Sequence, residues 1–325
     1  MAEISPEIKK GIHKKNVKRR ELIFLFTSPF FVSFLFFTII PLCMGLIFSF
    51  FNYNSYNISD ARFVGFGNYI KIFNSSIVSR TFWPALWTTL KFDFIAVPIM
   101  LFIPLALAYL VSLEPKGYKV YRALIYLPSV VSISIAGVIF GAIFSDESTG
   151  LINALFHTNI QFMSNQGWRW TIIMIVSIWW QTGTNFVILL AAIKSVPKSL
   201  YEACEIDGGK KWASFRYVTL PNIIGQLGLC TFTTLTGYLG LYGQVITINS
   251  YANRNAIETP MVMIQQWVGD FAKADLAGQI TAVAVVFGLI TVLFTTIQRI
   301  VMRDKKSKGD RYENEFKEYS NQKIC

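Results

Sequence analysis

The chain has 325 residues, 53% of them hydrophobic and 15% charged, with a formal net charge of +11. It is too apolar for an ordinary soluble domain, and its repeated apolar stretches of more than about 18 residues point to membrane helices. In a soluble protein the positive balance would suggest nucleic acid, but no basic patch interleaved with aromatics accompanies it. An excess of Lys and Arg on cytoplasmic segments accounts for the charge instead.

Residues 1–21 form a polar arm carrying Lys9, Lys10, Lys14, Lys15, Lys18, Arg19 and Arg20, and the apolar run 22–51 follows directly. A basic start before an apolar run imitates a secretory signal. This run is too long for a signal core and no A-x-A-like site ends it, so it reads as an uncleaved first membrane helix, with Pro29 and Pro41 as points of bending. Residues 52–83, rich in Asn, Ser and Tyr, read as an extracellular loop. Trp83 and Trp87 stand where an interfacial aromatic belt would lie.

The core, 84–302, holds the remaining spans. The second is expected over 86–113, followed by a polar turn at 114–119. The third covers 121–144, with Pro128 and serines small enough for close helix contact. A polar external loop, 145–169, leads to the fourth span at 171–193. Beyond the polar loop 194–221 come a fifth span at 222–248, a sixth at 276–302 and a charged tail, 303–325. Glycines 237, 240 and 243 suggest a smooth packing face on the fifth span. The expected fold is an all-α integral membrane protein with six transmembrane helices. Placing both termini in the cytoplasm leaves only Arg62, Lys71, Arg80, Arg169, Arg254 and Lys273 on outer segments, and most of the 30 basic residues inside.

The loop 194–221 is the one long polar segment between membrane-length runs. Its charges, Glu202, Glu205 and Asp207 beside Lys198, Lys210, Lys211 and Arg216, keep it out of hydrocarbon. It reads as helix, turn, helix. Ser199 and Glu202 have capping-box spacing after Pro197, Gly208 and Gly209 supply positive-φ positions, and a short amphipathic stretch, Trp212 to Tyr217, follows.

Glu202-Ala203-Cys204, three residues, Gly208, nine residues, then Val218-x-Leu220-Pro221 resembles the EAA motif of ATP-binding-cassette importer permeases, with Cys204 in place of the second Ala and Val218 in place of Ile. Phe63 to Tyr69, Arg122 with Leu127-Pro128, and Ile280 to Val285 resemble further parts of the carbohydrate-type, MalF-like permeases. The resemblance implies the type I importer permease fold in a bacterial plasma membrane. It also implies a second permease subunit, two ATPase subunits that carry ATP and Mg, and an extracellular solute-binding protein delivering a sugar. Glu202, Ala203, Cys204, Gly208, Leu220 and Pro221 would couple this chain to the ATPase. Ser250-Tyr251-Ala252 stands where the family commonly has Gly-Gly-Pro.

The chain carries no G-x4-G-K-[ST] loop, so ATP hydrolysis is expected of partners, and no catalytic, cofactor or metal constellation is expected in it. Lys91 and Asp93 read as interfacial or helix-paired in preference to a proton relay. A solute path needs polar groups near the midplane. Trp180, Gln181, Thr184 and Asn185 in the fourth span, and Thr234, Tyr238, Tyr242 and Gln244 in the fifth with Thr231 a turn earlier, are the candidates. Gln181, Thr184 and Asn185 are expected to share one face. The same groups could instead bond neighbouring helices. A related importer of glycerol phosphate or a peptide, and a membrane-embedded enzyme or sensor, are the competing readings.

Overall fold

The computed structural model describes residues 22, 24–54, 57–74, 76–146, 150–251, 257–270 and 276–322, the stretch from 301 onward by backbone alone. The arm 1–21 and residues 323–325 of the tail lie outside the described residues. Two compact units are present, 1–71 with 271–285 and 72–270 with 286–325.

The first unit opens with helix α1, Phe24–Phe48. Ahead of Pro41 it contains a wide turn, Leu35–Ile39, closed where Ile40 N–H donates to the Leu35 carbonyl. Pro41, in the first turn of the regular helix that follows, has no N–H for the carbonyl four residues back, so the ladder widens just before it. A hairpin of β1 (Phe51–Asn54) and β2 (Asn57–Phe63) pairs Phe51 with Phe63 and Asn52 with Arg62. The short helix α2, Gly67–Phe73, is tied to it by Asn68 Nδ2, which donates to the Ser49 and Phe51 carbonyls at 2.9 Å each. The segment expected as an extracellular loop thus contains a hairpin and a short helix.

The second unit is built on α3, Ile77–Ser112, which begins nine residues before the expected start because Ser76 caps it: its Oγ accepts from Ser79 N–H at 3.2 Å. After a turn through Glu114 and Gly117, both at positive φ, come α4 (Tyr118–Tyr126), a tight turn Leu127–Val130 and α5 (Ile133–Ile143). The expected third rod is thus a bent pair, with 95° between its halves. Pro128 removes an amide, and Val131 and Ser132 turn extended, so the helix cannot run through.

The loop between α5 and α7 is pinned by Asn153, within the short helix α6 (Leu151–Phe156). Asn153 donates to the Ser145 and Ile160 carbonyls, and Asp146 accepts from Met163 and Ser164 N–H. Asn165 caps α7, Gln166–Lys194, five residues ahead of the expected start.

The polar loop holds α8 (Lys198–Ile206) and a further helix, α9, made of Lys211–Ala213, a wide turn Ser214–Thr219 and Leu220–Asn222. The expected fifth rod is divided into α10 (Ile224–Leu239) and α11 (Gly243–Asn249) by a break at 240–242. After α12, Pro260–Asp270, α13 runs Ala277–Gln322 and carries the helix through most of the tail.

Among the described residues, four helices are long and apolar enough to cross a membrane, α1, α3, α7 and the Ala277–Ile300 part of α13. The bent pair of α4 and α5 makes five. Two apolar cores fill the second unit. One lies around Phe92, Met100, Ile173 and Val245, and the other around Phe186, Leu189, Val218 and Ile223. Within this chain the glycines at 237, 240 and 243 do not pack as a stripe: a Cβ at Gly237 would meet nothing, and of the three only Gly243 abuts a neighbouring helix, at Ser134. The close approach falls on α5, where Gly137 and Gly141, four apart, lie against Thr247 and Tyr251.

Candidate functional site

Two places deserve the name, a polar network inside the bundle and an exposed elbow at α8. In the network, Gln181 and Asn185 on α7 meet Thr234 on α10. Gln181 Nε2 donates to Asn185 Oδ1 at 3.2 Å and to Thr234 Oγ1 at 3.4 Å. Asn185 Nδ2 donates to Thr234 Oγ1 at 3.1 Å and to the Met100 carbonyl of α3 at 2.9 Å.

The last bond has a cause in the sequence. Pro104 sits inside α3 and cannot supply the amide that Met100 would receive in an unbroken helix. The Asn185 amide fills that gap, which explains why it is wholly buried.

One turn along α7, Ser177 gathers two more of the predicted residues. Tyr238 Oη donates to the Ser177 carbonyl at 3.1 Å, and Gln244 Nε2 to its hydroxyl at 2.9 Å. Tyr238 also stacks on Phe92, with centroids 5.8 Å apart. Ser177 was not singled out from the sequence, although it stands four residues before Gln181 and so shares its face. Tyr242 is half-buried against the first core, and Thr231 bonds back to the Leu227 carbonyl.

Two expectations change. Thr184 is exposed while Gln181 and Asn185 are buried. Thr184 falls about 60° to one side of Gln181 and Asn185 about 40° to the other, and at this level of the helix only the Asn185 side is covered. The Trp180 indole N–H donates to the Val131 carbonyl at 2.7 Å, at the break between α4 and α5. It therefore satisfies a carbonyl released by the bend. Replacing Trp180 with Phe should destabilise that corner by about 1–3 kcal/mol. Faster hydrogen–deuterium exchange at 127–133, with the rest of the bundle unchanged, would verify it.

At the elbow, α8 ends in a closed double hydrogen bond. Gly209 N–H donates to the Cys204 carbonyl at 2.8 Å and Gly208 N–H to the Glu205 carbonyl at 3.0 Å, with Gly208 at φ +78°. This is the Schellman arrangement, and it needs a left-handed residue at one position. Gly208 fills that position. Gly209 is required for a different reason than the one expected: it is not at positive φ, but a Cβ there would lie 2.7 Å from the Cys204 carbonyl oxygen. The expected capping box is also absent. Pro197 is the N-cap, without a side-chain bond, and Ser199 lies inside the helix.

Glu202, Ala203, Gly208 and Pro221 are exposed, and Cys204 and Leu220 half-buried. Leu200 and Ile206, the latter 86% exposed, add an outward apolar edge to α8. Tyr201 Oη and Thr219 Oγ1, 3.1 Å apart, fasten α8 to α9. Tyr109 Oη donates to the Lys211 carbonyl at 3.1 Å, and a cavity of about 600 Å³ opens between the end of α3 and α8.

Beside that cavity, Lys194 Nζ pairs with Glu114 at 2.6 Å and lies 5.2 Å from the Tyr118 ring centroid. The hydrogen bond and charge of Lys194 hold the Glu114 carboxyl below its ordinary value. The pair's contribution is therefore present above the ordinary glutamate range and is lost as pH falls through the lowered value. The pair is exposed, so its effect is small and screened by salt. The difference in thermal midpoint between the native chain and Glu114→Gln should vanish in acid and in high salt; a difference independent of both would contradict the pairing.

The chain is matched over residues 94–307 by the family of binding-protein-dependent transport system inner membrane components. It belongs to that family, and is thus a multi-pass membrane protein of the permease class. It is 33% identical over 203 residues to an arabinooligosaccharides transport system permease protein of Bacillus subtilis, a match covering 61% of this chain and 62% of that relative. It is 30% identical over 281 residues to a probable starch degradation products transport system permease protein of Thermoanaerobacterium thermosulfurigenes, covering 84% and 91% of the two chains. A crystal structure of a bacterial alginate transporter, in complex with an alginate pentasaccharide-bound periplasmic protein, shares the fold. The TM-score is 0.73 at 22% identity, over 89% of this chain and 96% of that one.

Proposed function

We propose that this chain is one permease subunit of an ATP-driven importer, forming half of the path for a sugar or oligosaccharide. The path crosses the bundle beside the Gln181–Asn185–Thr234 network and the Tyr238–Ser177–Gln244 group, where a solute's hydroxyls can exchange for the bonds these side chains make to one another. The chain crosses six times, α10 and α11 together forming the fifth crossing, with both termini in the cytoplasm. A second permease subunit completes the path, two ATPase subunits supply the work, and a solute-binding protein delivers the sugar outside.

The observation that carries this reading is the elbow. A membrane protein with no phosphate loop presents a short helix, rigidly closed by the Gly208 turn, with a charged and apolar face turned outward. Such a lever converts closure of an ATPase dimer into a tilt of the spans on either side of it, α7 and α10, and so changes which side is open. The relatives are permease proteins of an arabinooligosaccharides transport system and of a probable starch degradation products transport system, which supports an oligosaccharide as cargo. Uptake of radiolabelled oligosaccharides by a deletion strain, with and without the restored gene, tests the function. Loss and recovery of uptake of at least one is expected; unchanged uptake of every sugar offered would refute it.

A further inference from the structure

One acidic side chain, next along α3 to the Phe92 ring that stacks on Tyr238, makes no hydrogen bond in either place. Asp93, on α3, is 3% exposed, and neither carboxylate oxygen has a hydrogen-bond partner among the described residues. An unpartnered carboxylate within a membrane span is costly and marks a place where something else binds. Asp93 lines a groove of about 500 Å³ whose remaining wall is carbon from residues such as Leu90, Phe94, Leu235 and Phe294, with Lys91 as its only other charge. Lys91 is exposed and lies 5.6 Å from the centroid of the Trp87 ring.

The depth of this groove restricts its occupant. Nineteen residues separate Asp93 from Ser112, the last residue of α3, which borders the elbow cavity. At 1.5 Å per residue that is roughly 28 Å, about the thickness of the hydrocarbon layer. The groove therefore sits at the headgroup boundary of the leaflet away from the elbow. Trp87, about 9 Å further out along α3, stands in the interfacial layer beyond it. Phe94, 84% exposed beside it, faces outward as a lipid-contacting residue does.

We propose that the groove binds one phospholipid with a primary-amine headgroup. Its ammonium N–H groups donate to the free Asp93 oxygens, its phosphate pairs with Lys91, and an acyl chain lies along Phe94, Leu235 and Phe294. Charge complementarity selects this class. A quaternary amine has no N–H to give, and a glycerol headgroup brings no cation to the carboxylate. A sugar would leave most of its hydroxyls unpaired against the carbon wall. The inference rests on the membrane placement of α3 and not on the identity of the transported solute.

The test is native mass spectrometry of the intact transporter complex, delipidated and titrated with phosphatidylethanolamine, phosphatidylcholine and phosphatidylglycerol of matched chains. The ethanolamine lipid should be retained about tenfold better than the choline lipid, as expected for one charge-assisted bond. Asp93→Asn should abolish that discrimination. Lys91→Gln should weaken both lipids alike, and Leu235→Trp should reduce binding of every headgroup. Equal retention of all three lipids, or an ethanolamine preference that survives Asp93→Asn, would overturn the proposal. So would a photocrosslinker at Phe94 that captures the second permease subunit instead of lipid. None of these readings depends on sugar uptake, so failure here and failure of the importer function are distinguishable.

Discussion

Gly208→Pro should leave the protein inserted in the membrane while uptake falls more than tenfold and ATP hydrolysis proceeds without it. Proline fixes φ near −65°, whereas Gly208 sits at +78°, and it removes the N–H that reaches the Glu205 carbonyl. The α8 cap therefore cannot close. The space around the residue sharpens the prediction, because a Cβ on Gly208 would meet nothing within 4 Å. Strain alone then sets the order of substitutions. Asn should be close to native, Ala impaired by about 1–2 kcal/mol of left-handed strain, and Pro inactive. Glu202→Lys should uncouple by a different route, reversing an exposed charge without touching the cap. Membrane-fraction immunoblots, uptake and ATPase rates measured together would verify the series. Normal uptake by both Gly208→Pro and Glu202→Lys would remove the elbow from the mechanism.

The second large effect is expected at Asn185. Asn185→Leu leaves the Met100 carbonyl without a donor and takes one partner from Thr234. The loss should be about 1–3 kcal/mol for the orphaned group. Gln181→Leu, which leaves the Asn185 bond to Met100 in place, should destabilise less. If the Met100 carbonyl is the cause, restoring its backbone donor should help. Pro104→Ala in the Asn185→Leu background should regain part of the lost stability by returning the N–H of residue 104 to the ladder. Thermal unfolding in detergent of the two single mutants and the double mutant forms a cycle that reads this coupling directly. Additive effects would mean that Asn185 does not act through the proline gap.

Much of this architecture was legible in the sequence, because length and hydropathy report burial in lipid directly. The spans around α1, α3, α7 and α13 were placed to within a few residues at most ends, and the caps at Ser76 and Asn165 explain the early starts of α3 and α7. Hydropathy does not report breaks. The bend after Pro128 and the interruption at 240–242 lie within apolar runs that read as continuous, and the partners that make them tolerable, such as the Trp180 indole, are distant in sequence.

The same limit applied to the polar network. Spacing on α7 identified Gln181 and Asn185, but the need for an amide at Asn185 arises on another helix, at Pro104. At the elbow the Gly208 turn was legible, since a left-handed glycine four residues after Cys204 has a local cause, whereas the expected capping box and a positive φ at Gly209 are not found.

In the proposed importer, α8 is gripped by a nucleotide-hydrolysing partner. A photocrosslinking residue at the exposed Ala203, introduced into the native complex, measures this most directly. A crosslink to an ATPase subunit, changing in yield when ATP is trapped, is the predicted result. Capture of no ATP-hydrolysing subunit, in an assembly that still takes up solute, would contradict it.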